Sequence, residues 1–343
     1  MHISHALLGL CLLVAPGWVV AADPVWSALA AMPTGRSIFG AAVLGGTPYV
    51  VGGTTTGSNA ITTVEAYVPE ANIWLTKVSM TTGRNNHAVV AVGSTLYAIG
   101  GWNISNLSSM EAYDPVTTAW ASKASMGQAR TYFAAAAIGG TIYVMGGWQG
   151  GYTYLNTLEA YDRNTNTWTT KAPMPVPRGG HAAVAIGGTI YVMGGHCQDA
   201  VSGTTYSSVI AYDPATNTWT SKADMPTRRD TFQAARVGAL IVAVGGSTPT
   251  STATALVEAY DPATDTWVTM TDMPTARNYP AVAVIGATLY VVGGYQNMQT
   301  AEAGCLTAVS IAPNTAPGAP SAVSGPGNGK KNYSYTYTVS ATD

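Results

Sequence analysis

Charged residues are scarce in this sequence. Only 9% of its 343 residues are Asp, Glu, Lys or Arg, and the formal net charge is -2. No run of Lys or Arg is longer than two residues. Because proteins that bind nucleic acids need a basic patch to neutralise phosphates, this composition argues against a nucleic-acid partner.

Cysteine, histidine and long apolar runs are also few. After residue 22 no stretch is apolar enough to span a membrane, and only Cys197 and Cys305 remain, so a disulfide between them is possible but not required. His181, His196, Cys197 and Asp199 lie in one part of the chain, yet their spacing matches no closed metal site. We therefore predict neither a metal nor another cofactor.

Residues 1–22 are typical of a secretory signal peptide. An apolar run from Ala6 to Leu13 precedes the small residues Val20-Ala21-Ala22, although the amino-terminal region carries no Lys or Arg. This pattern predicts that the mature chain begins at residue 23 and is secreted, periplasmic or on the cell surface.

Glycine, in contrast, is abundant, and it recurs in pairs. The first glycines of six pairs are 46 to 51 residues apart, and a Trp precedes each pair by 26 residues. A Met and an Arg follow each Trp after 6 and 10 residues, so four positions in register define a repeat of about 48 residues. The pairs are Gly52-Gly53, Gly100-Gly101, Gly146-Gly147, Gly194-Gly195, Gly245-Gly246 and Gly293-Gly294, and the arginines are Arg36, Arg84, Arg130, Arg178, Arg229 and Arg277.

Each repeat is predicted to form four short strands. In the fourth repeat, two apolar runs flank Gly187-Gly188, a dipeptide that adopts the positive φ angles of a two-residue hairpin turn. In the second, Ser109 to Tyr113 alternates as a third strand, Asp114-Pro115 begins a turn, and Ala119 to Lys123 forms a fourth strand. Four-stranded units in tandem predict sheets arranged radially as a β-propeller.

The two ends of the repeat array predict how the ring closes. Trp26 belongs to a fourth strand that has no first three strands before it. Gly293-Gly294 is followed by a third strand, which we place at Leu306 to Ala312, but by no Trp. The N-terminal strand is therefore expected to complete the sixth blade, which removes the exposed sheet edges.

The sequence resembles kelch-repeat proteins. The resemblance rests on the double glycines, on Tyr113-Asp114-Pro115, Tyr212-Asp213-Pro214 and Tyr260-Asp261-Pro262, and on the Trp six residues beyond each Asp. It implies an all-β, six-bladed kelch β-propeller of four-stranded blades over residues 23–313. This resemblance is specific for the fold and only weakly specific for function.

The composition changes after Pro313. Residues 314–331 are rich in Pro, Gly, Ser and Ala and are predicted to be a linker. From Tyr333 to Val339, aromatic and small polar residues alternate, which resembles the opening strands of bacterial immunoglobulin-like or fibronectin-type modules. Because so short a segment cannot bury a core, residues 332–343 are predicted to be the start of a truncated immunoglobulin-like domain.

The hairpins place two sets of side chains on one rim of the propeller. The first strand of a blade starts where the second ends, so the arginines and the residues after the double glycines share this rim. Similar kelch propellers bind partners there. The residues after the glycines are Thr54, Trp102, Trp148, His196, Ser247 and Tyr295. Trp102, Trp148 and Tyr295 suit stacking on a sugar or docking of a peptide, although loop aromatics also fold back over their own blade.

The six arginines have two interpretations. They could form an anion-binding ring, or each could be architectural and bind backbone carbonyls or a Glu of the third strand. We expect that Glu at Glu65, Glu111, Glu159 and Glu258, with Ile210 and Val309 replacing it in the fourth and sixth repeats. Arg178 and Arg277 would then lack their acid, which makes them the better candidates for ligand contact.

Two histidines occupy a position that other repeats fill with phenylalanine. His87 and His181 stand where Phe39, Phe133 and Phe232 stand in their own repeats. We therefore predict that both are packed in the interior rather than exposed at a site.

Irregularities in the fourth and fifth repeats point to the ligand site. The fourth has the longest spacing, and the fifth carries Arg228-Arg229 followed by Asp230, with Arg236 at a position that is small and apolar elsewhere. We assign no catalytic residue. The candidate ligand-binding residues are Trp102, Trp148, His196, Tyr295, Arg178, Arg229, Asp230, Arg236 and Arg277.

Three functions follow as hypotheses. The first is a secreted or cell-surface, monomeric and non-catalytic module that binds a glycan or a protein on the rim. The second is a carbohydrate-active enzyme of the sugar epimerase or mutarotase type, because secreted kelch propellers include six-bladed sugar epimerases. It would need a polar pocket at the axis, for which Arg178, Arg229, Asp230 and Arg236 are candidates. The third is a structural spacer. A copper-dependent galactose oxidase is disfavoured, because those propellers have seven blades and this chain offers no two-His, two-Tyr copper set.

Overall fold

The computed structural model describes residues 24–55, 59–198, 203–295 and 299–306, all within one structural unit, Met1–Ile311. The predicted signal peptide, the linker at 314–331 and the immunoglobulin-like start at 332–343 lie outside these residues. They stay predictions.

All regular secondary structure in the described ranges is β, beginning with an isolated N-terminal strand and three blades. The strands are β1 (Val25–Ala28); in blade one β2 (Gly40–Leu44), β3 (Thr47–Val51), β4 (Val64–Val68) and β5 (Ile73–Lys77); in blade two β6 (Ala88–Val92), β7 (Thr95–Ile99), β8 (Trp102–Asn103), β9 (Ser105–Asn106), β10 (Met110–Asp114) and β11 (Ala119–Lys123); and in blade three β12 (Ala134–Ile138), β13 (Thr141–Met145), β14 (Trp148–Gly150), β15 (Thr153–Tyr154), β16 (Leu158–Asp162) and β17 (Thr167–Lys171).

Three further blades follow in the same order. Their strands are, in blade four, β18 (Ala182–Ile186), β19 (Thr189–Met193), β20 (His196–Gln198), β21 (Gly203–Thr205), β22 (Val209–Asp213) and β23 (Thr218–Lys222); in blade five β24 (Gln233–Val237), β25 (Leu240–Val244), β26 (Val257–Asp261) and β27 (Thr266–Met270); and in blade six β28 (Ala281–Ile285), β29 (Thr288–Val292) and β30 (Ala301–Cys305). Short two-stranded hairpins, β8-β9, β14-β15 and β20-β21, project above blades two, three and four.

Each blade is an antiparallel four-stranded sheet, and the sixth is completed by the N-terminal strand. Its order is β1-β30-β29-β28, with Trp26 paired with Gly304. The predicted six-bladed fold and its closure are confirmed. The predicted position of the last third strand was wrong, because β30 lies at Ala301–Cys305 rather than at Leu306 to Ala312. The connection after the last double glycine is shorter than we expected.

The first strands of the blades surround a central channel. β2, β6, β12, β18, β24 and β28 contact one another in a closed ring. Their channel-facing residues are mostly small, among them Ala88, Ala134 and Ala182, so the axis is not filled by side chains. The hydrophobic core lies instead between neighbouring blades, as where Met145 and Leu158 of blade three pack with Ile190 and Val192 of blade four.

The double glycines are the points at which adjacent blades meet backbone to backbone. Gly146 has a φ of 64°, and a Cβ there would lie 2.6 Å from the carbonyl oxygen of Arg178 in the next blade. The amide of Gly147 donates to the same oxygen at 2.8 Å. A side chain at Gly146 would separate the blades, and one at Gly147 would lie 2.7 Å from the carbonyl oxygen of Thr131 in its own blade, which explains why the pair recurs in every repeat.

The recurring Trp joins neighbouring blades at the outer edge. The indole of Trp168 donates to the carbonyl of Ala124 at 2.8 Å, and the amide of Ala124 donates to Asn166 Oδ1 at 3.0 Å. Tyr161 Oη donates to the same amide oxygen at 2.8 Å. The Tyr and the Trp of the repeat are therefore parts of one clasp between blades.

Candidate functional site

The arginines of the repeat are buried staples within their own blades. Arg84 Nη1 donates to the carbonyls of Gly100 and Ser109 at 3.0 and 2.8 Å, and Nη2 lies 2.9 Å from Glu111 Oε1. All six side chains are at most 2% exposed. This arrangement joins the second and third strands and leaves the guanidinium closed to a ligand, as the architectural interpretation expects.

Five arginines hold a carboxylate, and one does not. The pairs are Arg36–Glu65, Arg84–Glu111, Arg130–Glu159, Arg229–Glu258 and Arg277–Glu302. The prediction that Arg277 lacks its acid was wrong, since the strand shift described above brings Glu302 to within 3.1 Å. Arg178 does lack one, because Ile210 replaces the Glu. Its Nη2 instead donates to Ser208 Oγ at 3.1 Å, and its guanidinium stacks 5.0 Å from the Tyr206 ring.

Arg236 lies at the opposite rim from Asp230. Its Nε donates to the carbonyl of Gly238 in the β24-β25 turn at 2.9 Å, and the side chain is exposed. Asp230 precedes β24 and Arg236 lies near its far end, so the two residues lie toward opposite ends of this strand. The four residues considered for an axial polar pocket are therefore not brought together, because Arg178 and Arg229 are buried and Arg236 faces the far side.

The rim predicted from the hairpin geometry is present. In the first five blades the residue after the arginine bridges to the residue after the double glycine, as in Thr131 with Trp148, Gly179 with His196 and Asp230 with Ser247. These bridges extend each first hairpin by one step above the sheet. They position Trp148, His196 and Asp230 on the same face of the propeller.

The next residue of each repeat forms the mouth of the central channel. These six residues all have positive φ angles, between 47° and 63°, although five of them are not glycine. They are Ile38, Asn86, Tyr132, Gly180, Thr231 and Tyr279. Amide-to-carbonyl hydrogen bonds run from blade to blade around this mouth, as from Gly180 to Tyr132 and from Thr231 to Gly180, both at 2.7 Å. Left-handed backbone at β-branched Ile38 and Thr231 is strained, and strain of this kind is typical of ligand sites.

The mouth opens onto a concave space of about 470 Å³, a volume that includes the open solvent above it. Below the strained residues it is lined by Phe39, His87, Phe133, His181 and Phe232. The described lining contains no Lys or Arg.

Aromatic rings from blades three and six converge at the mouth. The ring centre of Tyr132 lies 6.2 Å from that of Tyr279 and 6.3 Å from that of Trp148. The indole nitrogen of Trp148 donates to the carbonyl of Gly151 at 2.8 Å, which fixes the ring against its own hairpin. The result is a wall of aromatic faces held by a short loop.

A histidine–carboxylate pair from blades four and five lies beside these rings, next to the lining residues Gly180 and Thr231. His196 Nδ1 lies 3.0 Å from Asp230 Oδ2, and the two side chains are 27% and 17% exposed. The Tyr154 ring of blade three meets the imidazole edge-on at 5.3 Å. Thr231 Oγ1 donates to Asp230 Oδ1 at 3.1 Å. We call Tyr132, Trp148, Tyr154, His196, Asp230 and Tyr279 the mouth cluster.

Tyr154 and Tyr279 of the mouth cluster are protonated at neutral pH. Burial raises the pKa of Tyr279, and the neighbouring Tyr132 and Asp230 add to the shift. Burial likewise raises the pKa of Tyr154, with Cys197, Tyr132 and Asp230 contributing. Each hydroxyl can therefore both donate and accept a hydrogen bond.

His87 and His181 are buried in the interior, as expected from their place in the repeat. Burial lowers the pKa of both to about 3, and the nearby arginines Arg84 and Arg178 lower it further. Each ring packs against the first glycine of the pair in the preceding blade, since a Cβ at Gly52 or Gly146 would meet the imidazole Cε1 within 3 Å. The neutral imidazoles thus replace phenylalanine in the same slot.

The remaining candidates lie elsewhere on the rim. Trp102 is half-buried in the β8-β9 hairpin of blade two, and Tyr295 is 60% exposed on blade six. Neither is part of the mouth cluster described above. The cluster instead includes Tyr132, Tyr154 and Tyr279, which our reading of the repeat missed. For Tyr132 and Tyr279 the signal was the position two residues after the arginine, which differs in nearly every repeat.

In the residues described, no group of three or more His, Cys, Asp or Glu side chains is arranged to hold a metal ion. No helix that could cross a membrane occurs in the described ranges.

Comparisons with known proteins agree on the fold. A family model described as the attractin/LZTR1 β-propeller matches residues 48–302. The solved structure of YjhT superposes with a TM-score of 0.66 at 16% sequence identity, covering 72% of this chain and 88% of that one. A comparison with curated protein sequences finds no match. In all, 801 chains of solved structures match, so the shared fold does not by itself specify a ligand.

Proposed function

The chain belongs to the attractin/LZTR1 β-propeller family, and from this premise we propose that it is a non-catalytic binding module that holds a sugar at the mouth of its central channel. The predicted signal peptide places this activity outside the cytoplasm, on a secreted, periplasmic or cell-surface protein.

The observation that carries this proposal is the mouth cluster. Side chains from four different blades meet where the backbone is strained. Trp148 and Tyr132 offer apolar ring faces, and His196, Asp230 and the tyrosine hydroxyls offer hydrogen-bonding groups. A concave pocket with aromatic walls and a few convergent polar groups is typical of a small polar ligand.

A sugar fits this surface better than a protein partner does. Protein interfaces need a broad contact area, whereas the mouth is a narrow concavity at the axis. A pyranose presents an apolar face for stacking and a rim of hydroxyls for hydrogen bonds, and the cluster has a match for both. Binding to a protein without any sugar is one outcome of the experiment below.

The His196–Asp230 pair favours a second candidate function, a catalyst of sugar ring opening. An imidazole held by a carboxylate can take up and release protons, which is the chemistry that exchanges the anomers of a reducing sugar. This candidate uses the same site, but the groups would act on the ring oxygen and the anomeric hydroxyl. A catalyst differs from a binding module because it accelerates anomer exchange, and the rate of that exchange can be measured.

The test is a saturation-transfer NMR screen of residues 23–343 with free monosaccharides, followed by anomer-exchange spectra of the same samples. Binding without faster exchange supports the module. Exchange that is faster than in buffer supports the catalyst. Absence of any sugar signal, together with capture of a protein partner, would overturn the proposal.

Two tryptophans provide a matched pair of variants. Both Trp102 and Trp148 directly follow a double glycine and begin a short hairpin, but only Trp148 contacts Tyr132. We expect Trp148→Ala to weaken sugar binding at least tenfold and Trp102→Ala to leave it unchanged, with similar thermal midpoints. Equal losses in both variants would place the ligand elsewhere on the rim.

A further inference from the structure

We infer that the mouth cluster selects a sugar that carries hydroxyl or ammonium groups and rejects one that carries a carboxylate. This inference rests on the proposed function and adds the charge class of the ligand to it.

The first step is the carboxylate that stands beside His196. Asp230 Oδ2 lies 3.0 Å from His196 Nδ1, and the Asp230 side chain is 17% exposed. A carboxylate can only accept hydrogen bonds. A ligand group that meets Asp230 must therefore donate a hydrogen bond, as a hydroxyl or an ammonium group does and a carboxylate does not.

The second step is the charge balance of the mouth. Asp230 is an acid of the cluster, and the residues that line the mouth include no Lys or Arg. The repeat arginines of these blades do not compensate, because Arg178, Arg229 and Arg277 are buried and bound to their own blades. Arg228 is exposed on the same rim but is not among the residues that line the mouth. A ligand carboxylate would thus face a like charge in a partly desolvated site, where repulsion is stronger than in water.

The third step concerns the groups that contact the rest of the ring. Tyr132, Tyr154 and Tyr279 carry hydroxyls, and those of Tyr154 and Tyr279 are protonated because burial raises their pKa. They add no charge, and each can pair with a ring hydroxyl in either direction. The cluster therefore suits a polyhydroxylated ring. The acidic end of the cluster is at Asp230.

Blade four is built to admit this arrangement. A Cβ at Gly180 would lie 3.2 Å from His196 Nδ1, and one at Gly179 would lie 3.1 Å from Tyr154 Cε1. The other five repeats carry side chains at both positions. Gly179 and Gly180 therefore act as positioning residues, because they let the imidazole and the phenol lean over the backbone beside Asp230.

The experiment uses two sets of sugars that keep one ring and change only its charge. One set is galactose, galactosamine and galacturonate, and the other is glucose, glucosamine and glucuronate. Dissociation constants are measured by NMR titration with residues 23–343 at pH 7 and low salt. We expect the amino sugar to bind at least as tightly as the neutral sugar, and the uronate to bind at least tenfold more weakly.

Asp230→Asn supplies the control for charge. It keeps the shape and an acceptor oxygen, so we expect the uronate to approach the neutral sugar within threefold and the amino sugar to lose its advantage. A uronate that binds most tightly would overturn the inference and leave the proposed function standing. Loss of that binding in Arg228→Ala would then assign the selection to the exposed Arg228 of the same rim. If none of the six sugars binds, both the inference and the proposed function fail.

Discussion

The guanidinium of Arg178 lies 5.0 Å from the ring centre of Tyr206, and among the described residues of this blade no carboxylate pairs with it in place of the missing Glu. Burial lowers the pKa of Arg178 to about 10, which Tyr206 and Asp224 only partly oppose. The threonine that donates to the Glu in blade five, Thr227, is also replaced in blade four, by Val176. Blade four thus exchanges an ion pair for a cation–π contact and a Ser208 hydrogen bond.

This exchange predicts unequal costs for removing equivalent arginines. Arg229→Met leaves Glu258 buried without its partner, and an orphaned buried charge costs about 3–5 kcal/mol. Arg178→Met leaves no carboxylate behind and loses only neutral hydrogen bonds and the ring contact. We expect the free energy of unfolding, measured in urea, to fall by about 2 kcal/mol more for Arg229→Met.

A double variant checks the reason for the difference. Adding Glu258→Ile to Arg229→Met reproduces the Ile of blade four and removes the orphaned charge, so we expect most of the extra loss to be recovered. Equal losses for the two single variants would mean that the carboxylate contributes nothing to the staple.

The glycines of the repeat predict a second contrast in stability, between Gly146 of a double glycine and Gly187 of a hairpin turn. Gly146 and Gly187 have φ angles of 64° and 59°, so Ala is equally strained at both. A Cβ at Gly146 would meet Arg178 O and His181 Cε1 at 2.6 Å, whereas nothing lies within 4 Å of one at Gly187. We expect Gly187→Ala to cost about 1–2 kcal/mol, the backbone term alone, and Gly146→Ala to cost clearly more. Urea unfolding of both variants measures this, and comparable costs would show that the blades can separate without penalty.

The sequence predicted the ring well, because its spacing repeats. Trp168, Met174, Arg178 and Gly194 lie at fixed intervals since each contacts the neighbouring blade in the same way every time. The sixth blade was harder, because its closing strand lacks the Tyr-Asp-Pro turn and Glu302 alone keeps the pattern. Sequence spacing could not show that this strand lies earlier in the chain than we predicted.

The mouth cluster was predicted only in part, for a different reason. Trp148, His196 and Asp230 were identified from their place after a constant residue, but Tyr132 and Tyr279 occupy a position with no consensus. Tyr154 lies in a hairpin that other repeats lack or change. Which of these side chains meet depends on how the blades are arranged around the axis. The spacing of residues along one strand carries no information about that arrangement.

Gly180 supplies a third prediction. Asn86 occupies the same place in blade two with a φ of 47°, and Asn tolerates this conformation better than other residues with a side chain. Gly180→Asn should therefore preserve the thermal midpoint within a few degrees while its side chain displaces His196 from the mouth. We expect sugar binding to weaken at least tenfold in the NMR titration. Asn86→Gly is the matched control and should bind normally; a normal Gly180→Asn would remove His196 from the site.

The two buried histidines predict how stability depends on pH. Their folded pKa is about 3, below the value of about 6.5 in the unfolded chain, so unfolding takes up protons as the pH falls. Their stabilising effect is complete above pH 6.5 and is lost progressively toward pH 3. At pH 5.5 the loss relative to pH 7.5 is about 1.4 kcal/mol for each histidine. This window lies above the range in which carboxylates such as Glu111 titrate, so the histidines dominate it.

The chain itself offers the substitution that tests this. Phe39, Phe133 and Phe232 fill the same slot in the other blades, so His87→Phe and His181→Phe should fold and should remove one titrating group each. We expect urea unfolding between pH 7.5 and 5.5 to lose about half of its pH dependence in either single variant and nearly all of it in the double variant. A double variant that keeps the original slope would mean that both imidazoles find proton acceptors inside the folded propeller, and that the interior slot is not a neutral one.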